Sequence, residues 1–450
     1  MAREMKDSGV EWIGDIPNGW NITRNKFVMV KEKQICPIYK NQDVLSLTQK
    51  GVIVRDLDNP TGKMPTSFDG YQYIHKGNLL MCLFDIDVTP RCIGLIKDDG
   101  ITSPAYSQFI VNHGFANYYY YYYLMLDFSK ELLHLAKNLR YSLTEELLGF
   151  VPVPFPPLEE QKNISNFLDK KCSEIDNLTA DIEKQISLLE DYKKSIITGA
   201  VTKGLNPNVE FKDSGIEWIG KIPKHWEITK IKNLGNARNG LTYSPSNLCD
   251  ENSGTLVLRS SNIKNGKLSF DDNVFVNCLI KNNLKVKKGD ILICSRNGSA
   301  KLIGKSALID RDLNSSFGAF MMIFRSKLNT RYIKYILESD VFKFNLSSYL
   351  TSTINQLTNQ NFSNMKIVFC NSEKEQKEIV DFLDKKCSEI DSLISDKKEQ
   401  LEKLASYKQS MIYEYVTGKK EIPTPLGGTI VSTNNKPQTG WGLQRSQNYE

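Results

Sequence analysis

Residues 6–26 read KDSGVEWIGDIPNGWNITRNK, and residues 212–232 read KDSGIEWIGKIPKHWEITKIK. A match of this length inside one chain is a duplication, and a repeat decides architecture before any local reading does. Working outward, residues 159–178, EEQKNISNFLDKKCSEIDNL, return at 374–393 as KEQKEIVDFLDKKCSEIDSL, and the Tyr192-Lys193 neighbourhood returns around Tyr407-Lys408. The offset is 206 residues for the early pair and 215 for the late pair, so the second copy carries nine more residues in its middle. The stretches in between, 27–158 and 233–373, share almost no identity. A duplicated frame holding two different inserts implies a molecule with approximate two-fold pseudo-symmetry, not a solenoid.

The late repeat reads as a long helix. From Glu159 to about Val201, Leu168, Ile175, Ile182, Leu189 and Ile196 recur every seven residues, with Leu178 and Tyr192 three positions after two of them. This is the pattern of an a/d seam. No Pro or Gly falls in the interval until Gly199, and FPPLEE places prolines just outside the start and acids in the first turn. The second copy runs from about Glu373 to Thr417. Leu383, Ile390, Leu404 and Met411 continue the stripe, Lys397 interrupts it, and Ile394 and Leu401 carry it past. At 1.5 Å per residue such a helix is about 60 Å long. A solitary exposed rod of that length is unstable, so the two are expected to pair as an antiparallel coiled coil within the chain. Packing of each rod on its own globular domain is the alternative.

The inserts read as mixed domains. The distal one has strand-like runs at GTLVLRS (254–260), GDILICS (289–295) and KSALID (305–310), a helical stretch over Thr330 to Leu337 and a last strand at Lys366 to Phe369. The proximal one ends alike, with a helix spanning Tyr118 to Tyr123 and then the strand GFVPVPF. A helix distributes six consecutive tyrosines all round its axis, which points to core packing and away from a base-stacking platform. The expected fold class is α+β: two mixed α/β domains in pseudo-two-fold arrangement, joined by two long helices pairing as an antiparallel coiled coil. The expected bounds are a first domain at 1–158, a first helix at 159–203, a second domain at 204–373 and a second helix at 374–420. A tail at 421–450, rich in Gly, Pro, Thr and Asn without periodicity, is expected to be disordered.

Composition narrows the function. The chain has 450 residues, 40% hydrophobic and 24% charged, with a formal charge of +6, which is enough apolar material for several cores and compatible with a nucleic-acid partner. No apolar run approaches the roughly 18 residues of a membrane span, and MAREMKDSG lacks the apolar core of a secretory signal, so a cytoplasmic location without membrane contact is expected. Nine cysteines without a CxxC and four histidines without an HExxH give a metal site no support. GSAKLIGKS at 298–306 approaches a phosphate-binding loop but has Ser299 where the motif needs Gly, and its Lys305 runs on into a strand. No nucleophile elbow, dinucleotide fingerprint or Asn-Pro-Pro-aromatic tetrad is present, so no catalytic residue is assigned.

The ordered series KDSGVEWIGDIP (6–17), PPLEEQKNISNFLDKK (156–171), GDILICSRNGSAKLIGKSALI (289–309) and SEKEQKEIVDFLDKK (372–386) resembles the specificity subunit of type I restriction-modification systems, over about residues 6–420. The resemblance implies that each insert is a target recognition domain reading one half of a bipartite, asymmetric site in double-stranded DNA, and that the paired helices set the gap. It further implies that the frame docks two modification subunits, which bring S-adenosylmethionine and the adenine-methylating centre. Restriction subunits that use ATP and Mg would join them, and the chain itself would hold no cofactor, metal or catalytic residue.

The distal insert carries eighteen basic against ten acidic residues and the proximal twelve against thirteen, so phosphate attraction is expected from the distal domain or the partner subunits. Base readout calls for Arg, Lys, Asn and Gln on loops. In the distal insert the candidates are Arg259, Asn262 and Lys264 after the first strand, Arg296 and Asn297 after GDILICS, and Thr351, Ser352, Asn355 and Gln356 ahead of the last strand. Thr242 and Tyr243 in NGLTYSPS match a loop position that touches DNA in the family the chain resembles. The proximal equivalents by order are Gln49, Lys50 and Arg55, then Arg91, then Arg140 and Tyr141, in a copy that departs from the family pattern near CLFDIDVTPRCIG (82–94). Two readings of another class stay open: a self-sufficient nuclease or methyltransferase of unfamiliar motif, and a coiled-coil scaffold with two protein-binding domains.

Overall fold

The structure is a computed structural model, and it describes residues 3–60, 64–136, 140–349 and 355–423. Thr351, Ser352 and most of the 421–450 tail lie outside the described residues. The chain divides into two compact units, one of Met1–Asn177 with Lys403–Glu450 and the other of Leu178–Glu402. Its helices are α1 (Ala116–Ser129), α2 (Glu145–Phe150), α3 (Leu158–Lys203), α4 (Thr330–Glu338), α5 (Asp340–Ser347), α6 (Asn359–Asn364) and α7 (Glu373–Val416). Among the described residues no helix is long and apolar enough to cross a membrane.

Both units are built on the same sheet. In the first, four antiparallel strands run in the order Ile93–Leu95, Leu79–Met81, Ser107–Val111, Met29–Glu32. In the second the order is Ser306–Leu308, Ile291–Cys294, Met321–Ser326, Gly235–Asn239. The register agrees as well, with Leu79 opposite Phe109 and Ile291 opposite Phe324. Two inserts of almost no shared identity thus fold on one topology, because a β-rich run such as ILIC needs only apolar, largely β-branched side chains to be buried on both faces. Each insert is closed at its base by a frame strand paired with its last strand: Asn21–Arg24 with Pro152–Phe155, and Glu227–Lys230 with Lys366–Phe369.

The tyrosine run is core. Tyr118, Tyr119, Tyr121, Tyr122 and Tyr123 are all buried with Trp20, Leu168 and Val416. Two of the hydroxyls reach backbone partners at 2.7 Å, Tyr118 donating to the Val416 carbonyl and Tyr122 to that of Pro152, while the buried Tyr123 hydroxyl has none among the described residues. Tyr121 donates to Asp169 at 2.7 Å, and in the second unit Tyr335 of α4 donates to the repeat-equivalent Asp384 at 2.7 Å.

Each unit pairs one end of α3 with one end of α7, antiparallel. In the first, the Phe167 and Tyr415 rings lie 4.5 Å apart and Asp176 meets Lys408 at 2.6 Å. In the second, Gln185 accepts from Lys397, and Lys193 meets Asp391 at 2.6 Å. As residue number rises along α3, the partner's number falls along α7. Asp176 and Asp391 are repeat equivalents, as are Lys193 and Lys408, so one ion pair is written twice. Lys397, which breaks the apolar stripe, does so by facing the polar Gln185.

The seam differs from expectation on one flank. Leu168, Ile175, Ile182, Leu383, Ile390, Ile394 and Met411 are buried, but Leu178 and Tyr192 are 48% and 57% exposed. The second row falls four positions after Leu168 and its successors, at Cys172, Thr179, Ile186 and Lys193, all buried or half-buried. A helix offers i+3 and i+4 neighbours on either side of one row, and only the partner's position decides which side is covered. Both helices stop at a left-handed glycine, Gly204 and Gly418, each at φ +72°. A Cβ on Gly418 would come within 2.6 Å of the Pro17 ring, so this end admits no side chain.

Candidate nucleic-acid interface

The distal sheet gathers loops at one edge. Leu241 N–H donates to the Phe317 carbonyl at 2.7 Å, and a Cβ on Gly240 would stand 2.2 Å from the Gly318 carbonyl oxygen. Glycine is therefore required at 240 for the chain to lie against that strand and present Thr242 and Tyr243. After Cys294, Arg296 lays its guanidinium over the Phe320 ring, 5.1 Å from the centroid, and pairs its backbone with Gln356. The Asn297 amide donates to Ser260 at 3.3 Å and the Asn355 amide to the Gly298 carbonyl at 3.1 Å. Arg259 holds Asp272 at 2.9 Å.

These loops enclose a cleft of ≈ 1050 Å³ that brings together Thr242, Tyr243, Arg259, Arg296, Asn297, Asn355 and Gln356. It is open enough to admit an extended edge of a large ligand, and its wall offers donors, acceptors and the 58% exposed Phe320 ring. Lys305 lies on no phosphate loop: its ammonium donates to the Ile263 carbonyl at 3.1 Å, and burial pulls its pKa down.

Two distal candidates fall outside the cleft. Asn262 is 0% exposed and spent on the loop itself, accepting from Arg259 N–H at 2.8 Å and donating to the Ser269 carbonyl at 3.0 Å. It has no group left for a base edge, and its role is corrected to that of a staple beneath Arg259. Lys264 sits on a short hairpin, paired with Asp271 at 2.7 Å.

The proximal candidates form two groups. Gln49 and Lys50 are exposed at the tip of the hairpin Leu45–Thr48/Gly51–Val54, with Arg55 directly after it. Arg91 braces this hairpin. Its Nη1 donates to the Gln49 carbonyl at 2.7 Å, its Nε to that of Ile93 at 3.1 Å, and its Nη2 to the Tyr120 hydroxyl. Arg140 and Tyr141 lie apart from these, their carbonyls accepting from Asp85 N–H at 3.0 Å and Ile86 N–H at 3.3 Å.

Comparison with known proteins decides what such a pair of inserts belongs to. The profile described as type I restriction modification DNA specificity domain matches residues 94–188 and 223–403, more than half of the chain. This chain belongs to that specificity-domain family. It is 32% identical over 282 residues to the type I restriction enzyme MjaVIII specificity subunit of Methanocaldococcus jannaschii, covering 60% of this chain and 63% of that one. It is 28% identical over 206 residues to the EcoKI specificity subunit of Escherichia coli strain K12, covering 44% of each. The chain thus spans less than two thirds of the length of the curated relatives it matches. A solved chain from work on complex assembly and conformational transition of the type I R-M system has the same fold, with a TM-score of 0.66 at 15% identity, covering 90% of this chain and 99% of that one.

Within this specificity-domain chain, sequence reasoning missed Phe320, which sits in the tight turn FGAF (317–320) and carries Arg296. A search for hydrogen-bonding side chains passes over an aromatic; the signal available was its placement between Gly318 and the buried apolar run MMIF (321–324), where an exposed ring has no packing reason. The same search passed over the apolar and acidic loop FDIDV (84–88).

Proposed function

We propose that this chain is the DNA-specificity subunit of a type I restriction-modification assembly and catalyses nothing itself. Each insert reads one half of a bipartite, asymmetric site in double-stranded DNA, and the paired helices α3 and α7 set the spacer. The observation that carries the reading is the distal cleft: seven polar side chains from separate loops converge on one opening in a chain of this family. Arg296 and Arg259 suit guanine O6 and N7, and Asn297, Asn355 and Gln356 suit adenine N6 and N7. Thr242 and Tyr243 flank them. In the proximal insert Gln49, Lys50, Arg55, Arg140 and Tyr141 are the proposed DNA contacts.

The frame docks two modification subunits that bring S-adenosylmethionine to the target adenines, and restriction subunits with ATP and Mg complete the assembly, in the cytoplasm. The test is methylome sequencing of DNA from a host without type I systems of its own, co-expressing this chain with its modification subunit. A single bipartite motif with methyladenine in both halves is the expected result. An intact complex that leaves no motif sinks the reading in favour of a scaffold.

A further inference from the structure

The proximal insert has a loop in the place where the distal insert keeps Arg296 and Asn297. Strand Leu79–Met81 corresponds to Ile291–Cys294 by sheet order and register. Immediately after each strand comes the same junction: Leu143 N–H donates to the Leu83 carbonyl at 2.7 Å, and Leu357 N–H to the Ser295 carbonyl at 2.7 Å. The short helices that follow, α2 and α6, are capped by Thr144 and Thr358 in the same way. Phe84–Val88 is therefore the topological counterpart of the basic distal loop, and Tyr141 that of the cleft residue Asn355.

Its chemistry is the opposite. Where the distal loop presents a guanidinium and an amide, the proximal one presents Phe84, Asp87 and Val88, with Val88 73% exposed and Tyr141 47% exposed beside it. Arg91, three residues beyond the loop, donates its guanidinium to Gln49, Ile93 and Tyr120, and the Lys130 ammonium donates to the Thr89 carbonyl at 2.8 Å. The loop is held open by Asp85 and Tyr141, both non-glycine residues at positive φ (48° and 41°), which the Asp85–Arg140 and Ile86–Tyr141 backbone bonds tie together. The turn is closed by Thr89 N–H on the Asp85 carbonyl at 2.9 Å, leaving residues 87 and 88 at its tip.

Resting on the specificity-subunit reading, we propose that Phe84–Val88 with Tyr141 reads the proximal half-site, and that it does so with a carboxylate acceptor and apolar contact instead of basic donors. Asp87 accepts from an exocyclic amine, cytosine N4 or adenine N6, and Val88 packs on a thymine methyl. A carboxylate at a base edge also repels guanine O6 and thymine O4, so it selects by exclusion. Such a loop draws no affinity from phosphates. This fits the charge of the two inserts, with eighteen basic against ten acidic residues in the distal one and twelve against thirteen in the proximal one.

The experiment compares methylomes of the co-expressed complex carrying wild-type chain, Asp87→Asn, Val88→Ala, or Arg296→Ala as a distal reference. Asp87→Asn is expected to relax one base position in one half-site, with discrimination falling roughly 5- to 100-fold, and Val88→Ala to relax a thymine position in the same half. Arg296→Ala is expected to relax the other half, and the spacer is expected to hold in all of them. If both proximal variants co-purify with the modification subunit and leave the wild-type motif unchanged, the loop assignment is wrong while the specificity-subunit reading stands. If wild type itself gives no bipartite motif, that reading fails and the loop assignment with it.

Discussion

Trp20 and Trp226 are fully buried, and each donates its indole N–H to a glutamate in the first turn of a long helix, Glu160 at 2.8 Å and Glu375 at 3.1 Å. Glu375 also accepts from His225 at 2.9 Å and Cys370 at 3.1 Å. Burial pushes its pKa up, but the bonds from His225, Cys370 and Trp226 together outweigh it and hold the carboxyl below the usual glutamate value. A depressed carboxylate contributes stability that is present above its unfolded pKa and is lost as pH falls through the folded one. Glu375→Gln is therefore expected to lower stability at neutral pH by about 1 kcal/mol and to flatten the loss of stability below about pH 4.3, measured by denaturant unfolding across pH. In the cleft, Arg296 stands over Phe320 with its guanidinium plane pre-set. Arg296→Ala in the assembled complex is expected to weaken binding to the cognate site by about 1–3 kcal/mol and to leave non-specific binding nearly unchanged, as titration with cognate and scrambled duplexes would show.

At the scale of elements, the duplicated ion pair makes a specific claim about how α3 and α7 recognise one another. Asp176–Lys408 and Lys193–Asp391 are the same contact related by the repeat, both at 2.6 Å. Partly exposed pairs of this kind are worth about 0.2–1 kcal/mol. Asp176→Lys is expected to destabilise by about that amount and Lys408→Asp to restore it, so a double-mutant cycle by chemical denaturation should give a favourable coupling. The repeat made these helices legible, because nearly verbatim copies with seven-residue spacing leave few alternatives to paired rods. The flank of the seam was not: Leu178 and Tyr192 are more apolar than Thr179 and Lys193, yet the latter face the partner. The loops were legible only in part. Asn has the same amide whether it staples a loop, as Asn262 does, or lines a cleft, as Asn355 does, and burial alone separates the two. The bracing bonds of Arg91 were hidden for a similar reason, since nothing in its local sequence announces the Gln49 and Tyr120 partners, 42 and 29 residues away.

For the whole molecule, duplication has left a frame that repeats and inserts that do not. The shared features all lie along the long helices: the Trp–Glu clasp and the glycine stop beside the frame, and the Tyr–Asp bond where an insert helix meets a long one. The differing features lie in the loops that follow the sheet strands, whose exposed or half-buried side chains, Arg296 and Asn297 in one insert and Asp87 and Val88 in the other, are set apart from the long helices. Loop chemistry can therefore change without disturbing the helices, and helix length can change without disturbing the loops. The proposed function turns that separation into a measurable independence of spacer and half-sites. Residues 186 and 187 of α3 lie opposite residues 397 and 396 of α7, next to the Gln185–Lys397 contact. Inserting one heptad after residue 186 and one after residue 396 preserves the apolar face of both helices. It lengthens each by about 10.5 Å, close to three base pairs at about 3.4 Å each. The methylated motif of the co-expressed complex is expected to gain about three base pairs of spacer with both half-sites intact. An insertion in one helix alone throws the partners out of step and is expected to abolish the motif. Altered half-sites after the paired insertion would show that helix pairing and loop geometry are coupled, and would refute the ruler.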